Sequence, residues 1–109
     1  MKKVKLGNQG LIIPNIGLGC MGMTGFGDAD MYGKTDEAEA IATIHRSLEL
    51  GGNFLDTADL YGPFKNEQLI AKAIEGNRDE YIIATKFGFN CSNENKQQLL
   101  NSRPEHIRE

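Results

Sequence analysis

Short apolar runs and helical patterns alternate along this chain, and the alternation limits the folds that are open to it. The apolar runs are 16–20, 54–55 and 81–86. A helical pattern follows each of the first two runs, and a third helix start lies near the end of the sequence. Strands that alternate with helices favour a parallel sheet with right-handed crossovers. The pattern therefore predicts an α/β fold.

Signals for helix starts and stops support this reading. Asp36 and Glu39 form a capping box at the start of the first helix, and the Gly51–Gly52 pair ends it in a left-handed cap. Asn66 is predicted to cap the second helix, and Gly76 to end it. The apolar stripe of the first helix is Ile41, Ile44 and Leu48, and that of the second is Leu69, Ile70, Ala73 and Ile74. The capping box 102–105, with Pro104 in its first turn, starts the third helix.

A β-hairpin is predicted before the first strand of the sheet. Two short apolar runs lie within 3–13, on either side of the turn residues 7–10. The hairpin and about three strand–helix units, with the third helix truncated, would occupy the 109 residues as one piece of one domain. Three parallel strands leave both sheet edges open. We therefore expect the chain to be the N-terminal part of a larger α/β protein, and we expect self-association through those edges.

Charge and cysteine content exclude several classes of partner. The formal net charge is −3, so no basic surface is expected for nucleic acid or for an anionic membrane. The two cysteines, Cys20 and Cys91, are far apart and have no metal-ligand spacing, which predicts no metal site. We expect both to be free thiols in the cytoplasm, with Cys20 as a filler of its strand.

Polar side chains follow two of the predicted strands directly. Asp56 ends the run 54–55, Lys86 ends the run 81–86, and Tyr61 lies in the loop after Asp56. Taken singly, such residues are usually turn formers or solvated groups. Together they would meet where parallel strands end. A cation beside a phenol favours proton release from the phenol. The trio suits delivery of a proton to a carbonyl oxygen while a hydride reaches its carbon.

Three stretches resemble the aldo-keto reductase family. Asn53–Gly62 is similar to the signature of that family, 16–22 to its first strand and 84–88 to its third, and the hairpin to the plug at the bottom of its barrel. The resemblance is greatest to the branch called auxin-induced or pyridoxal-reductase-like. It implies a (β/α)₈ TIM barrel, NADPH as cofactor, and the reduction of aldehydes or ketones, which are small-molecule carbonyl substrates.

The resemblance also assigns roles to residues. Tyr61 would be the proton donor, Lys86 the partner that lowers its pKa, and Asp56 the third catalytic residue. Gly22 and Met23 would flank the nicotinamide of the cofactor together with Asp56.

Part of the family site has no counterpart in this sequence. The family has a fourth catalytic residue, a histidine after the fourth strand, and neither His45 nor His106 is its equivalent. Most of the family's contacts to the cofactor phosphate and adenine come from later strands. We therefore expect the 109-residue chain alone to be inactive. The alternative is a non-catalytic product: a truncated chain, or a regulatory subunit similar to the redox-sensing β-subunits of potassium channels.

Overall fold

The structure is a computed structural model, and it describes residues 1–25, 32–91 and 100–108. The strands are β1 (Lys3–Leu6), β2 (Leu11–Pro14), β3 (Leu18–Gly19), β4 (Phe54–Asp56) and β5 (Ile82–Ala84). The α-helices are α1 (Glu37–Glu49), α2 (Lys65–Ala73) and α3 (Pro104–Ile107). Two short 3-10 turns occupy Met21–Met23 and Arg78–Glu80. The predicted order of elements is confirmed.

The strands of the described residues form two sheets. β1 and β2 pair antiparallel as the predicted hairpin. β3, β4 and β5 form a parallel sheet in that order, with Gly19 beside Asp56 and Asp56 beside Ala84. The carboxyl ends of the three parallel strands therefore meet at one edge of the sheet, as the sequence predicted.

The hairpin lies at the opposite end of the sheet from Asp56. Gly51 and Gly52 precede β4, and a Cβ atom added to Gly51 would approach the backbone nitrogen of Met1 at 3.4 Å. Gly51 has a φ of +83°, which confirms the predicted left-handed end of α1. The start of the hairpin thus packs beneath the point where β4 begins.

The core lies between the parallel sheet and one face of α1 and α2. Its buried members are Cys20, Ala40, Ile44, Leu55, Leu69, Ile70, Ala73, Ile74 and Tyr81. The predicted stripe of α2 is buried throughout, whereas in α1 Ile44 is buried and Ile41 and Leu48 pack against the core from its margin. His45 joins the two helices, with its Nε2 2.6 Å from the carbonyl oxygen of Ala73.

Of the three N-caps predicted from the sequence, the structure has one. The backbone N–H of Glu39 donates to Asp36 Oδ1 at 2.8 Å, so the predicted cap of α1 is confirmed. The predicted cap of α2 is wrong, because α2 begins at Lys65 and the preceding Phe64 takes the N-cap position with no side-chain bond. The capping box predicted at 102–105 is also wrong, since Arg103 takes the N-cap position of α3 with no side-chain cap, but Pro104 lies in the first turn of α3 as predicted.

Two loops lie partly outside the described residues. Residues 26–31 fall between β3 and α1, residues 92–99 fall between β5 and α3, and Glu109 also lies outside. Within the second loop, Phe89 pairs with Leu100 in an isolated antiparallel bridge.

Candidate active site

The alternation of side chains along β4 and β5 brings Asp56 and Lys86 to one face of the sheet. Leu55 belongs to the core on the helix side, and Ile83 packs against that core. Successive side chains of a strand point to opposite faces. Asp56, one residue after Leu55, therefore faces away from the helices, and Lys86, two residues beyond the end of β5, lies on the same side because its Nζ contacts Asp56 Oδ1. Both lie at the carboxyl end of the sheet.

Lys86 brings the three predicted catalytic residues together. Its Nζ donates to Asp56 Oδ1 at 2.6 Å, to the backbone carbonyl oxygen of Thr57 at 2.9 Å and to the phenol oxygen of Tyr61 at 3.1 Å. The same Nζ lies 4.9 Å from the centroid of the Tyr61 ring. The phenol oxygen accepts this hydrogen bond from the ammonium. The geometry is that of a polarised hydroxyl beside a cation.

The surroundings of Lys86 favour its charged form. Partial burial lowers the pKa of Lys86, but its hydrogen bonds to Asp56 and Tyr61, with the charge of Asp56, more than offset this, so its pKa is raised. The side chains of Lys86 and Asp56 are 48% and 47% exposed, whereas Tyr61 is 9% exposed. The ammonium group stays protonated, and it sits where the site opens to solvent.

Gly22 and Met23 lie in the 3-10 turn after β3. The backbone N–H of Cys20, which precedes that turn, donates to the carbonyl oxygen of Asp56 at 2.9 Å. Gly22 is exposed, but Met23 packs against the core. The turn therefore places its backbone, and Gly22 with no side chain, beside the strand of Asp56. A Cβ atom added to Gly22 would lie 3.3 Å from the ring of Tyr32, and the cofactor roles of Gly22 and Met23 stay predictions.

Asn66 is the residue of this region that the sequence reading missed. It was predicted as a helix cap, yet its side chain is fully buried and contacts other elements. Thr57 Oγ1 donates to Asn66 Oδ1 at 2.6 Å, and Asn66 Nδ2 donates to the carbonyl oxygen of Cys20 at 2.7 Å. A polar residue at a predicted helix start gives no local sign that its partners lie 9 and 46 residues away.

The cysteines and histidines of the described residues form no further catalytic group. Burial, and then the charge of Asp56, raises the pKa of Cys20 to about 11, so its thiol stays protonated. His106 Nε2 lies 3.0 Å from the carbonyl oxygen of Phe89. In the parts of the chain that the structure describes, no three His, Cys, Asp or Glu residues are grouped to hold a metal ion. None of the described helices is long and apolar enough to cross a membrane.

Similar proteins were found both by sequence and by structure. A curated relative, the uncharacterized oxidoreductase YqkF of Bacillus subtilis (strain 168), is 40% identical over 88 residues, which are 81% of this chain and 26% of that protein. The holo form of the aldo-keto reductase AKR11C1 from Bacillus halodurans is 37% identical with a TM-score of 0.80, and the match covers 99% of this chain and 33% of that one. The glycerol dehydrogenase AKR11B4 of Gluconobacter oxydans is 27% identical with a TM-score of 0.75, over 97% of this chain and 32% of that one.

These likenesses settle the fold class and the family. The chain spans between a quarter and a third of the length of these relatives. Its hairpin and parallel strands fold as part of the (β/α)₈ barrel of aldo-keto reductases, as predicted. The relatives are named as oxidoreductases, and these names do not favour the alternative of a regulatory subunit. The branch within the family stays a prediction. Residues 15–109 match the model of the Aldo/keto reductase family, and the chain belongs to that family.

Proposed function

We propose that the protein with this chain as its N-terminal part reduces aldehydes or ketones to alcohols with NADPH. The single observation that carries the proposal is the contact of Lys86 Nζ with Asp56 Oδ1 at 2.6 Å and with the phenol oxygen of Tyr61 at 3.1 Å. A hydroxyl polarised by a cation at the carboxyl end of a parallel sheet suits general acid catalysis. The family membership supports oxidoreduction as the reaction class.

In this proposal each residue acts on a stated atom. Tyr61 gives its hydroxyl proton to the carbonyl oxygen of the substrate, so that the C=O group becomes CH–OH. Lys86 stabilises the phenolate that remains, because its ammonium already donates to that oxygen. Asp56 holds the ammonium charged and oriented through the 2.6 Å contact. NADPH, when bound, supplies the hydride that the carbonyl carbon receives. Gly22 and Met23 would border the nicotinamide.

The 109-residue polypeptide alone is expected to show no such reduction. In this proposal Gly22 and Met23 meet the nicotinamide end of NADPH, and no described residue is predicted to contact its phosphates or adenine. We therefore also propose that this chain by itself lacks a tight NADPH site. A cytoplasmic location is part of the proposal, and the two free thiols, Cys20 and Cys91, support it.

The test is Tyr61→Phe in the full-length protein, assayed by NADPH consumption with those aldehydes and ketones that the unsubstituted protein reduces. The substitution removes the phenol oxygen and keeps the buried ring. We expect the rate to fall by about 10²–10⁴-fold, the usual contribution of a general acid, while NADPH fluorescence titration gives a nearly unchanged Kd.

Lys86→Met and the double variant complete the measurement. Residues that act as one unit lose activity non-additively, so Tyr61→Phe with Lys86→Met should be about as slow as the slower single variant. A fully active Tyr61→Phe protein, or strictly additive losses, would show that the proton comes from another group. An unsubstituted protein that reduces no carbonyl compound would overturn the proposed function itself.

A further inference from the structure

Asn66 is a buried polar residue that no step of the proposed reaction uses. Its side chain is 0% exposed and uses three hydrogen bonds. Thr57 Oγ1 donates to its Oδ1 at 2.6 Å, and its Nδ2 donates to the carbonyl oxygen of Cys20 at 2.7 Å and to Thr24 Oγ1 at 2.8 Å. A buried amide left without such partners would be costly, so the side chain is fixed by contacts outside its own helix.

One group of these contacts leads to Lys86. The carbonyl oxygen of Thr57 accepts from Lys86 Nζ at 2.9 Å, and the Thr57 hydroxyl is held by Asn66 at 2.6 Å. The backbone N–H of Asn66 also donates to the carbonyl oxygen of Tyr61 at 3.1 Å. Asn66 therefore holds the side chain of Thr57 and the backbone of Tyr61, and both of these residues contact the ammonium through an oxygen atom.

The other group of contacts leads to the turn Met21–Met23. Cys20 and Thr24 are the residues on either side of that turn, and Asn66 Nδ2 binds both of them. One amide thus spans from the strand end beneath Lys86 to both ends of the turn that carries Gly22.

We propose that Asn66 is a positioning residue: it holds the Thr57 carbonyl against the Lys86 ammonium and keeps the Gly22 turn in register with that strand end. The inference rests on the proposed function, because the groups it positions are the proposed proton-donating pair and the proposed cofactor turn. Asn66 itself touches no reacting atom.

Thr57→Val tests the contact toward Lys86 with little change of side-chain volume. It removes the hydroxyl that binds Asn66 and leaves the Thr57 carbonyl free to shift from Lys86. We expect kcat of the full-length protein to fall by about tenfold, the value of one buried hydrogen bond acting on the transition state, with the KM for NADPH unchanged. Thr57→Ser, which keeps the hydroxyl, should restore most of the rate.

Thr24→Val tests the contact toward the turn. It removes one of the two acceptors of Asn66 Nδ2 and should raise the KM for NADPH by about tenfold while leaving kcat near the parental value. A lower kcat in Thr57→Val and a higher KM for NADPH in Thr24→Val are together the signature of a residue that links two halves of a site. A uniform loss in both variants, which a general structural role would give, would contradict the proposal.

Ile70→Val is the matched control, because Ile70 is buried in the same helix and has no polar contact to lose. It should lower the melting temperature as Thr57→Val does and leave kcat and KM at parental values. Reduced activity in this control would mean that any loss of packing in α2 impairs the reaction, which would overturn the role of Asn66.

The Lys86 ammonium provides a readout that needs neither cofactor nor substrate. In protein with ¹³C-labelled lysine, the chemical shift of the Lys86 ε-carbon should change in Thr57→Val, because the contact of the ammonium with the Thr57 carbonyl is altered, and should stay at the parental value in Ile70→Val. An unchanged chemical shift together with parental kcat would overturn this inference alone, provided that Tyr61→Phe is inactive. An active Tyr61→Phe protein would instead overturn the proposed function.

Discussion

At the scale of single residues, the ammonium group of Lys86 is held by three oxygen atoms from the short segment 56–61. They belong to Asp56, Thr57 and Tyr61, at 2.6, 2.9 and 3.1 Å. The Asp56–Lys86 pair is about half exposed, so solvent screens it and it adds little to stability, on the order of 0–1 kcal/mol. Its main effect is orientation, since an ammonium that uses all three donors is fixed in direction.

Two of these three oxygen atoms could be predicted from the sequence. Asp56 and Tyr61 are polar side chains at a strand end, and their residue types suggest the chemistry. The third belongs to the backbone of Thr57, and a backbone carbonyl leaves no signal in an amino-acid sequence. Asn66, which binds the hydroxyl of the same Thr57, was missed for a related reason: its partners are distant in the chain, and a polar residue near a helix start is more often a cap.

Cys20 predicts a loss of stability at alkaline pH. Burial raises the pKa of its thiol from 9.0 to about 11 in the folded protein. Between these values the unfolded thiol has lost its proton while the folded one keeps it, so the folded state binds more protons and the free energy of unfolding falls as pH rises. Over this window the loss from Cys20 alone approaches about 2–3 kcal/mol.

The measurement is the melting temperature from pH 8 to pH 11, compared between the unsubstituted protein and Cys20→Ala. Cys20→Ala should be less stable at pH 8, because it leaves a cavity in the core, but its melting temperature should fall less steeply above pH 9. Parallel curves would show that the Cys20 thiol does not titrate differently in the folded and unfolded states.

At the scale of elements, the starts of α1 and α2 are built in different ways. Asp36 caps α1 through a local bond three residues along the chain, and a local rule predicted it. α2 instead starts after Phe64, whose φ of +65° is unusual for a residue with a side chain. The backbone N–H of Phe64 donates to the carbonyl oxygen of Asp59 at 2.7 Å, so the turn is held by the backbone. No cap rule could identify this start.

The left-handed Phe64 predicts a stabilising substitution. Phe64→Gly removes the Cβ atom that makes this conformation unfavourable, a penalty of roughly 1–2 kcal/mol. The Phe64 side chain is 43% exposed, so part of that gain is offset by the loss of its half-buried ring. We expect Phe64→Gly to unfold at a denaturant concentration equal to or above that of the parent.

Phe64→Ala is the control for this substitution. It removes the same ring but keeps the Cβ atom in the left-handed conformation, so it should be less stable than Phe64→Gly by about 1 kcal/mol. The same midpoint of chemical denaturation for both variants would mean that the backbone at Phe64 is not strained, or that it relaxes at no cost.

At the scale of the whole molecule, the alternation of strands and helices predicted the order of elements and the parallel pairing. It could do so because apolar periodicity records which side of each element is buried. The ends of the elements were less predictable. Only two residues of the predicted run 16–20 form β3, and β4 extends beyond the run 54–55 to include Asp56. Such ends depend on contacts between distant segments.

The described part of the parallel sheet has two open edges, formed by β3 and β5. The residues of β5 are half-buried, and the cleft beside it, of about 420 Å³, is lined in part by Ile70, Ile74 and Ile83. Unpaired backbone groups next to apolar side chains favour pairing with another chain. The relatives are three to four times longer than the part that this chain matches.

We therefore predict that the 109-residue polypeptide, prepared alone, self-associates through the β5 edge. Sedimentation at micromolar concentration should give species larger than the 12.0 kDa monomer, and calorimetry should show no sharp unfolding transition for a monomer. Ile82→Lys adds a charge on β5 and should reduce the association, because a charged side chain at an edge strand opposes pairing. Ala42→Lys adds the same charge on the exposed surface of α1 and should leave association unchanged. If the polypeptide is a monomer that unfolds cooperatively, or if the two lysine substitutions have equal effects on association, then the β5 edge does not drive self-association.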